Sequence, residues 1–182
     1  MNIKKWNARL SLLTIVLFLI HEGYQLYAYT TMYYNPVLSK VTGYVLTGAL
    51  ALHVILSVMS VFILHDAKKV TYKKLNIKTV LQRVSGVLIV LILPLHIFSF
   101  GILKSSVGGV GYILTEIAQI LFYAALCCHI SLSFSNALVT LGYLADMRKK
   151  RVIDIVVTII CVILFIAASV IITSAHTMIF KG

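Results

Sequence analysis

Residues 153–176 read IDIVVTIICVILFIAASVIITSAH. Charge is confined to Asp154 near the start of this run and His176 at its end. The run exceeds the about 20 mostly apolar residues that a helix needs to cross the hydrocarbon core of a bilayer. Four earlier runs have the same character: Leu10–Thr30, Gly43–His65, Val84–Leu103 and Gly111–Tyr143. Together they predict an all-α integral membrane bundle of five transmembrane helices, a single transmembrane domain over residues 1–182. The fourth run is long enough to tilt or to extend into water. The chain has 182 residues, 60% of them hydrophobic. Five spans and their connections use nearly all of it. No soluble domain is left, so chemistry on a soluble substrate belongs to another subunit.

The formal net charge of +11 would suggest nucleic acid in a soluble protein. Here the cations lie between the apolar runs and read as a topology signal. Lys4, Lys5 and Arg9 precede the first run. Lys68, Lys69, Lys73, Lys74, Lys78 and Arg83 join the second to the third, and Arg148, Lys149, Lys150 and Arg151 join the fourth to the fifth. The other side has only Lys40, Lys104 and Lys181, so thirteen of sixteen cations share one face. The rule for loop charge then predicts a cytoplasmic N-terminus and an outside C-terminus. Tyr24, Tyr27, Tyr29, Tyr33, Tyr34, Tyr44 and Tyr112 gather toward the outer interface as an aromatic belt. The first run lacks an A-x-A-like site and continues through Glu22 to Tyr29, which predicts a retained helix rather than a cleaved signal. The basic connection between the second and third runs reads as a docking surface for a soluble partner or as a topology signal alone.

His21, His53, His96 and His129 fall one each in the first four runs. Each is at least twelve residues from the nearest cytoplasmic charge, about 20 Å along a helix at 1.5 Å per residue. An imidazole at that depth is costly unless paired and marks a functional site. A single such histidine also fits a plain hydrogen bond between helices. Four in one small bundle fit a stricter chemistry. Haem iron in an electron-transfer site takes two axial ligands, commonly imidazole nitrogens, so four histidines serve two haems. Zinc usually takes ligands close in sequence, or an acid or water nearby. The five acids here, Glu22, Asp66, Glu116, Asp146 and Asp154, form no cluster in the sequence.

Small residues accompany two of these histidines: Ala125, Ser133, Asn136 and Thr140 with His129, and Ala49, Ser57 and Ser60 with His53. They suit a flat macrocycle and close helix packing alike. Pro94 frees the carbonyl of Val90 and allows a kink before His96. Cys127, Cys128 and Cys161 read as buried thiols. Cys127-Cys128-His129 lacks the two-residue gap needed for covalent haem attachment. His65 and His176 sit at helix ends and read as structural or solvated. Glu116 is expected to reach water at the outer end of the fourth helix. Asp66, Asp146 and Asp154 read as solvated charges beside the basic loops. Glu22 lies about 100° round the helix from His21 and reads as a carboxylate facing a polar outer cavity or as a proton carrier near a quinone.

Three stretches carry a resemblance: Leu81-Gln82-Arg83-Val84-Ser85-Gly86 followed by His96; His129 followed by Phe134-Ser135-Asn136-Ala137-Leu138 and Thr140-Leu141-Gly142; and the separation of His53 from Gln82, 29 residues. The ordered set resembles the five-helix, dihaem cytochrome b membrane subunit of the succinate:quinone oxidoreductases, which include the quinol:fumarate reductases. The resemblance covers all five helices. It implies two haem b groups, with His53 and His129 the axial ligands of the haem nearer the cytoplasm, and His21 and His96 those of the outer haem. It also implies an iron–sulfur subunit and an FAD flavoprotein on the cytoplasmic face of the cell's inner membrane. Electrons would pass between them and a quinone, most often menaquinone. The chain itself would not act on succinate or fumarate. Arg83 and Ser85 match positions that serve quinone in relatives with fewer haems; a haem propionate is the other partner expected for Arg83. Two departures stand out. The outer loops are short for the family, and Cys127 stands where some members carry a proton-transferring glutamate. Two other readings of the chain are a dihaem anchor for a different oxidoreductase and a small proton or metal transporter or assembly factor.

Overall fold

The computed structural model describes residues 3–63 and 73–181. Among them are five α-helices and no strand: α1 (Ile3–Thr31), α2 (Pro36–Ile63), α3 (Lys73–Ser105), α4 (Val110–Leu141) and α5 (Met147–Lys181). All five are long and apolar enough to cross a membrane. The chain is therefore an all-α, multi-pass membrane protein. Helix is the form this composition demands, because hydrocarbon offers no partner to backbone N–H and C=O groups and a helix satisfies them internally. Leu13, Val16, Leu52, Ile55, Leu91 and Ile163 stay exposed on the helix surfaces, as lipid-facing residues do.

Most helix ends described lie beyond the apolar runs, whereas α4 stops at Leu141, short of Tyr143. Asn35 caps α2: its Oδ1 accepts from the N–H groups of Val37 and Leu38 at 3.0 and 3.2 Å. Pro36 takes the first helical position, where its missing N–H costs nothing. The α2 start therefore precedes Gly43. At the end of α4, Gly142 adopts φ +87°. Its N–H bonds to the carbonyl of Val139, and that of Tyr143 to the carbonyl of Leu138, at 3.1 and 3.0 Å. This paired pattern closes a helix, and a glycine tolerates the left-handed turn it requires. Asp146 then caps α5, accepting from Arg148 N–H at 2.8 Å. The helix so begins ahead of the four basic residues instead of after them. Their long side chains can carry charge to the interface while the backbone stays helical.

The chain divides into two compact units, Met1–Lys73 with Ser133–Ile155, and Lys74–Leu132 with Val156–Gly182. In the first, α1 and α2 form a hairpin tied at both ends. Tyr24 Oη accepts from Asn35 N–H at 2.6 Å and donates to the Asn35 carbonyl at 3.0 Å. Gln25 Nε2 donates to Ser39 Oγ at 2.7 Å. At the far end Ser57 Oγ donates to Asn7 Oδ1 at 3.2 Å. Asp154 is not simply solvated: it accepts from the buried Ser135 hydroxyl and pairs with Lys150 at 3.2 Å. The second unit has a core of Ile89, Leu103, Phe122, Ala168, Ile172 and Ala175. Small residues seven apart on α5 let a neighbouring backbone approach closely. His65, Asp66, Lys68 and Lys69 of the basic connection lie outside the described residues.

Replacing Asn35 by Ala removes the α2 cap and keeps the backbone N–H and C=O that hold Tyr24. A loss of about 1 kcal/mol is expected, measured as a lower midpoint in thermal unfolding of the detergent-solubilised protein.

Candidate functional site

His129 lies on α4 and meets α3 at the Gln82–Gly86 segment. Its Nδ1 is 2.9 Å from the carbonyl oxygen of Gln82 and 3.3 Å from Ser85 Oγ. The Ser85 hydroxyl spends its own proton on the Gln82 carbonyl, at 3.0 Å. Both oxygens therefore present lone pairs to the ring, and Nδ1 carries the proton. Gly86 completes the seat. A Cβ built on it would lie 3.1 Å from His129 Cε1 and 3.3 Å from Nδ1, so the imidazole rests on bare backbone. Ser85 is buried and Arg83 is exposed.

His21 on α1 is held by the same device. Its Nδ1 is 3.1 Å from Thr42 Oγ1 of α2. That hydroxyl donates back to the carbonyls of Leu38 and Ser39, at 2.9 and 3.1 Å, and so accepts from the ring. The next residue, Gly43, would bring a Cβ to 3.3 Å from His21 Cε1. A hydroxyl residue followed by glycine thus seats a histidine twice, once in each unit. The sequence signal is weak, because Thr47-Gly48 has the same form and nothing lies within 4 Å of a Cβ at Gly48.

His96 on α3 uses an amide. Its Nδ1 lies 2.7 Å from Gln119 Oε1 on α4. The ring stacks on Phe122, centroids 4.7 Å apart and planes at 19°, and meets the edge of Tyr123 at 6.5 Å. Gln119, Phe122 and Tyr123 fall within about one turn of α4, which therefore builds one wall of the His96 site. His53 is half-buried on α2. The first unit holds His21 and His53, the second His96 and His129.

These arrangements fit axial ligation. A neutral imidazole that donates from Nδ1 carries its lone pair on Nε2, and metal-bound histidines characteristically donate their second N–H to a carbonyl or similar acceptor. Among the described residues no three or more His, Cys, Asp or Glu side chains gather around a point suited to a bare metal ion. A haem iron asks the protein for two.

One expectation is corrected. Glu116 does not reach water: it is 9% exposed and accepts from His176 Nδ1 at 2.6 Å. Of the two readings for His176, structural or solvated, burial at 3% exposure and the bond to Glu116 support the structural one. Sixty positions separate the two residues. A carboxylate and an imidazole so far apart give no local pattern to read. Glu22 is also buried, at 5% exposure. Cys127, Cys128 and Cys161 form no disulfide, and Cys161 is buried.

Comparison with family models, curated protein sequences and solved structures gives no match to this chain.

The glycine seats give a direct test. Gly86→Ala forces the His129 ring to move and is expected to cost about 1–3 kcal/mol through overpacking. Gly48→Ala meets open space and is expected to be neutral or stabilising by up to about 1 kcal/mol through helix propensity. Thermal unfolding of the two variants side by side measures the difference.

Proposed function

We propose that the chain is a dihaem cytochrome b membrane anchor. It carries electrons between a membrane quinone, menaquinone in the first instance, and the iron–sulfur and flavoprotein subunits of a succinate dehydrogenase or fumarate reductase. The observation that carries this reading is the common state of His21, His96 and His129: each is an intramembrane imidazole whose Nδ1 faces an acceptor. The ordered resemblance across five helices supplies the rest. His53 and His129 serve one haem, His21 and His96 the other. Residues 1–182 act as one cytochrome domain in the inner membrane, with the N-terminus and the basic connection on the cytoplasmic side where the partner subunits dock. Arg83 supplies a cation for a propionate or a quinone.

When bound, haem supplies a one-electron couple that needs no change of ligand. The rest of the work falls to the chain. The Gln82 carbonyl, Ser85, Thr42 and Gln119 fix ring orientation and tautomer. By drawing on Nδ1–H they make Nε2 more basic, which favours the ferric state. Gly43 and Gly86 let the rings lie against the neighbouring helix. Phe122 and Tyr123 shield His96 from water. No succinate or fumarate bond is made or broken here.

The alternative from another class, a proton or metal transporter or assembly factor, draws on the buried Glu116–His176 pair. An optical spectrum separates the two. The purified protein is expected to show sharp haem b bands in a reduced-minus-oxidised spectrum, and replacement of any one of the four histidines to remove one of two haems. A colourless protein, or four single variants that each keep both haems, sinks the reading. Gln119→Leu, which removes the acceptor for His96 Nδ1–H, is expected to weaken retention of one haem about 10- to 100-fold, read as haem content after dilution. A dihaem anchor for another oxidoreductase would pass these tests and be told apart by the subunits that copurify.

A further inference from the structure

The second unit contains a cleft that the haem route does not use. It lies between α4 and α5, measures about 220 Å³ and is open on one side, where Val162 is exposed. All three cysteines of the chain line it, Cys127 and Cys128 from α4 and Cys161 from α5. The thiols of Cys127 and Cys161 hydrogen-bond to each other across the two helices. Ala124 and Phe165 add apolar wall, and no charged residue lines the space. Cys127 is 14 residues from the nearer end of α4, and Cys161 is 14 from the nearer end of α5. That is about 21 Å along a helix, so both sulfurs lie deep in the span.

Two sulfurs in contact can share a soft cation or form a bond to each other. A pair of thiolates on copper(I) leaves a net negative charge, which is costly in hydrocarbon without a countercharge. Among the described residues no third ligand completes a metal site there. A disulfide carries no charge. Consecutive helical residues point about 100° apart, so Cys127 and Cys128 do not bridge each other, and Cys161 is the partner within reach. The open volume beside the pair gives the sulfurs room to close to the roughly 2 Å of a bond.

We propose that Cys127 and Cys161 form a second redox centre, an intramembrane dithiol that a lipid-soluble quinone oxidises to a disulfide. A cavity of about 150 Å³ takes a benzene ring, so this one admits a single quinone ring arriving from the bilayer. One thiol adds to a ring carbon and an S–C bond forms. The second sulfur attacks the first: the S–S bond forms, the S–C bond breaks, and the ring leaves as quinol. The thiols lose two electrons and two protons, the quinone gains both, and no net charge is left in the hydrocarbon. The new bond ties α4 to α5 two residues from His129. No step involves haem, so the proposal stands apart from the cytochrome reading.

The test uses the intact protein in lipid nanodiscs, first reduced with a phosphine and then exposed to duroquinone. Thiols counted by maleimide mass labelling after denaturation are expected to fall from three to one per chain, with one quinol formed. Peptide mapping is expected to find Cys127 joined to Cys161. Ferricyanide, a charged oxidant that hydrocarbon excludes, is expected to leave all three thiols. Cys161→Ser is expected to abolish the reaction and Cys128→Ser to preserve it. Three thiols surviving duroquinone, a stable quinone–thiol adduct, a bridge to Cys128, or equal oxidation by ferricyanide overturns the proposal. Should a variant fail to fold, the mapped bridge and the two oxidants in the native protein still decide.

Discussion

A hydrogen-bond donor inside a hydrocarbon layer must find its acceptor within the protein, and this chain is organised around that requirement. It makes the backbone helical through every span. It also governs the few polar side chains at depth. Imidazoles at positions 21, 96 and 129 each direct Nδ1 to an oxygen on a neighbouring helix. Ser135 gives its proton to Asp154, and His176 gives its own to Glu116. Interhelical bonds of this kind contribute about 0.6 kcal/mol each in membrane proteins, and at most roughly 1.7. Their larger effect is on register, since sliding either helix by one residue would leave a buried polar group unmatched.

The histidine seats show how little chemistry such positioning needs. A hydroxyl that has given its proton to the preceding turn is left as a pure acceptor, and a glycine beside it clears the space above the backbone. Thr42-Gly43 and Ser85-Gly86 supply this combination to His21 and His129. His96 lacks a hydroxyl–glycine pair and is instead clamped by an amide and an aromatic face. If the four rings hold two haems as proposed, the difference in second-neighbour chemistry gives the protein a means of setting two unequal potentials within one bundle.

Five helices were legible in the sequence because hydropathy reports the surrounding medium directly. Their ends were less so. A hydropathy reading stops at Gly43 or Ile153, whereas a helix stops where other groups take over its terminal hydrogen bonds. Asn35-Pro36, Gly142 and Asp146 are those groups, and each has the residue type expected of a cap. The four intramembrane histidines stood out by depth alone. Their partners did not: Gln119 is 23 residues from His96 and Glu116 is 60 from His176, and only the packing of helices brings them together. The Gln82–Gly86 motif was noticed for its likeness to a family pattern, and in the structure it is the seat of His129, a ring 43 residues beyond Gly86.

The clasp of the α1–α2 hairpin is built from the first two helices and the turn between them. It joins Tyr24 to Asn35, eleven residues away, and contacts of such short range close quickly. During synthesis, two spans can therefore lock together while the third is still inside the ribosome. The growing polypeptide then offers later helices a preformed platform, with the ring of His21 already seated against Thr42.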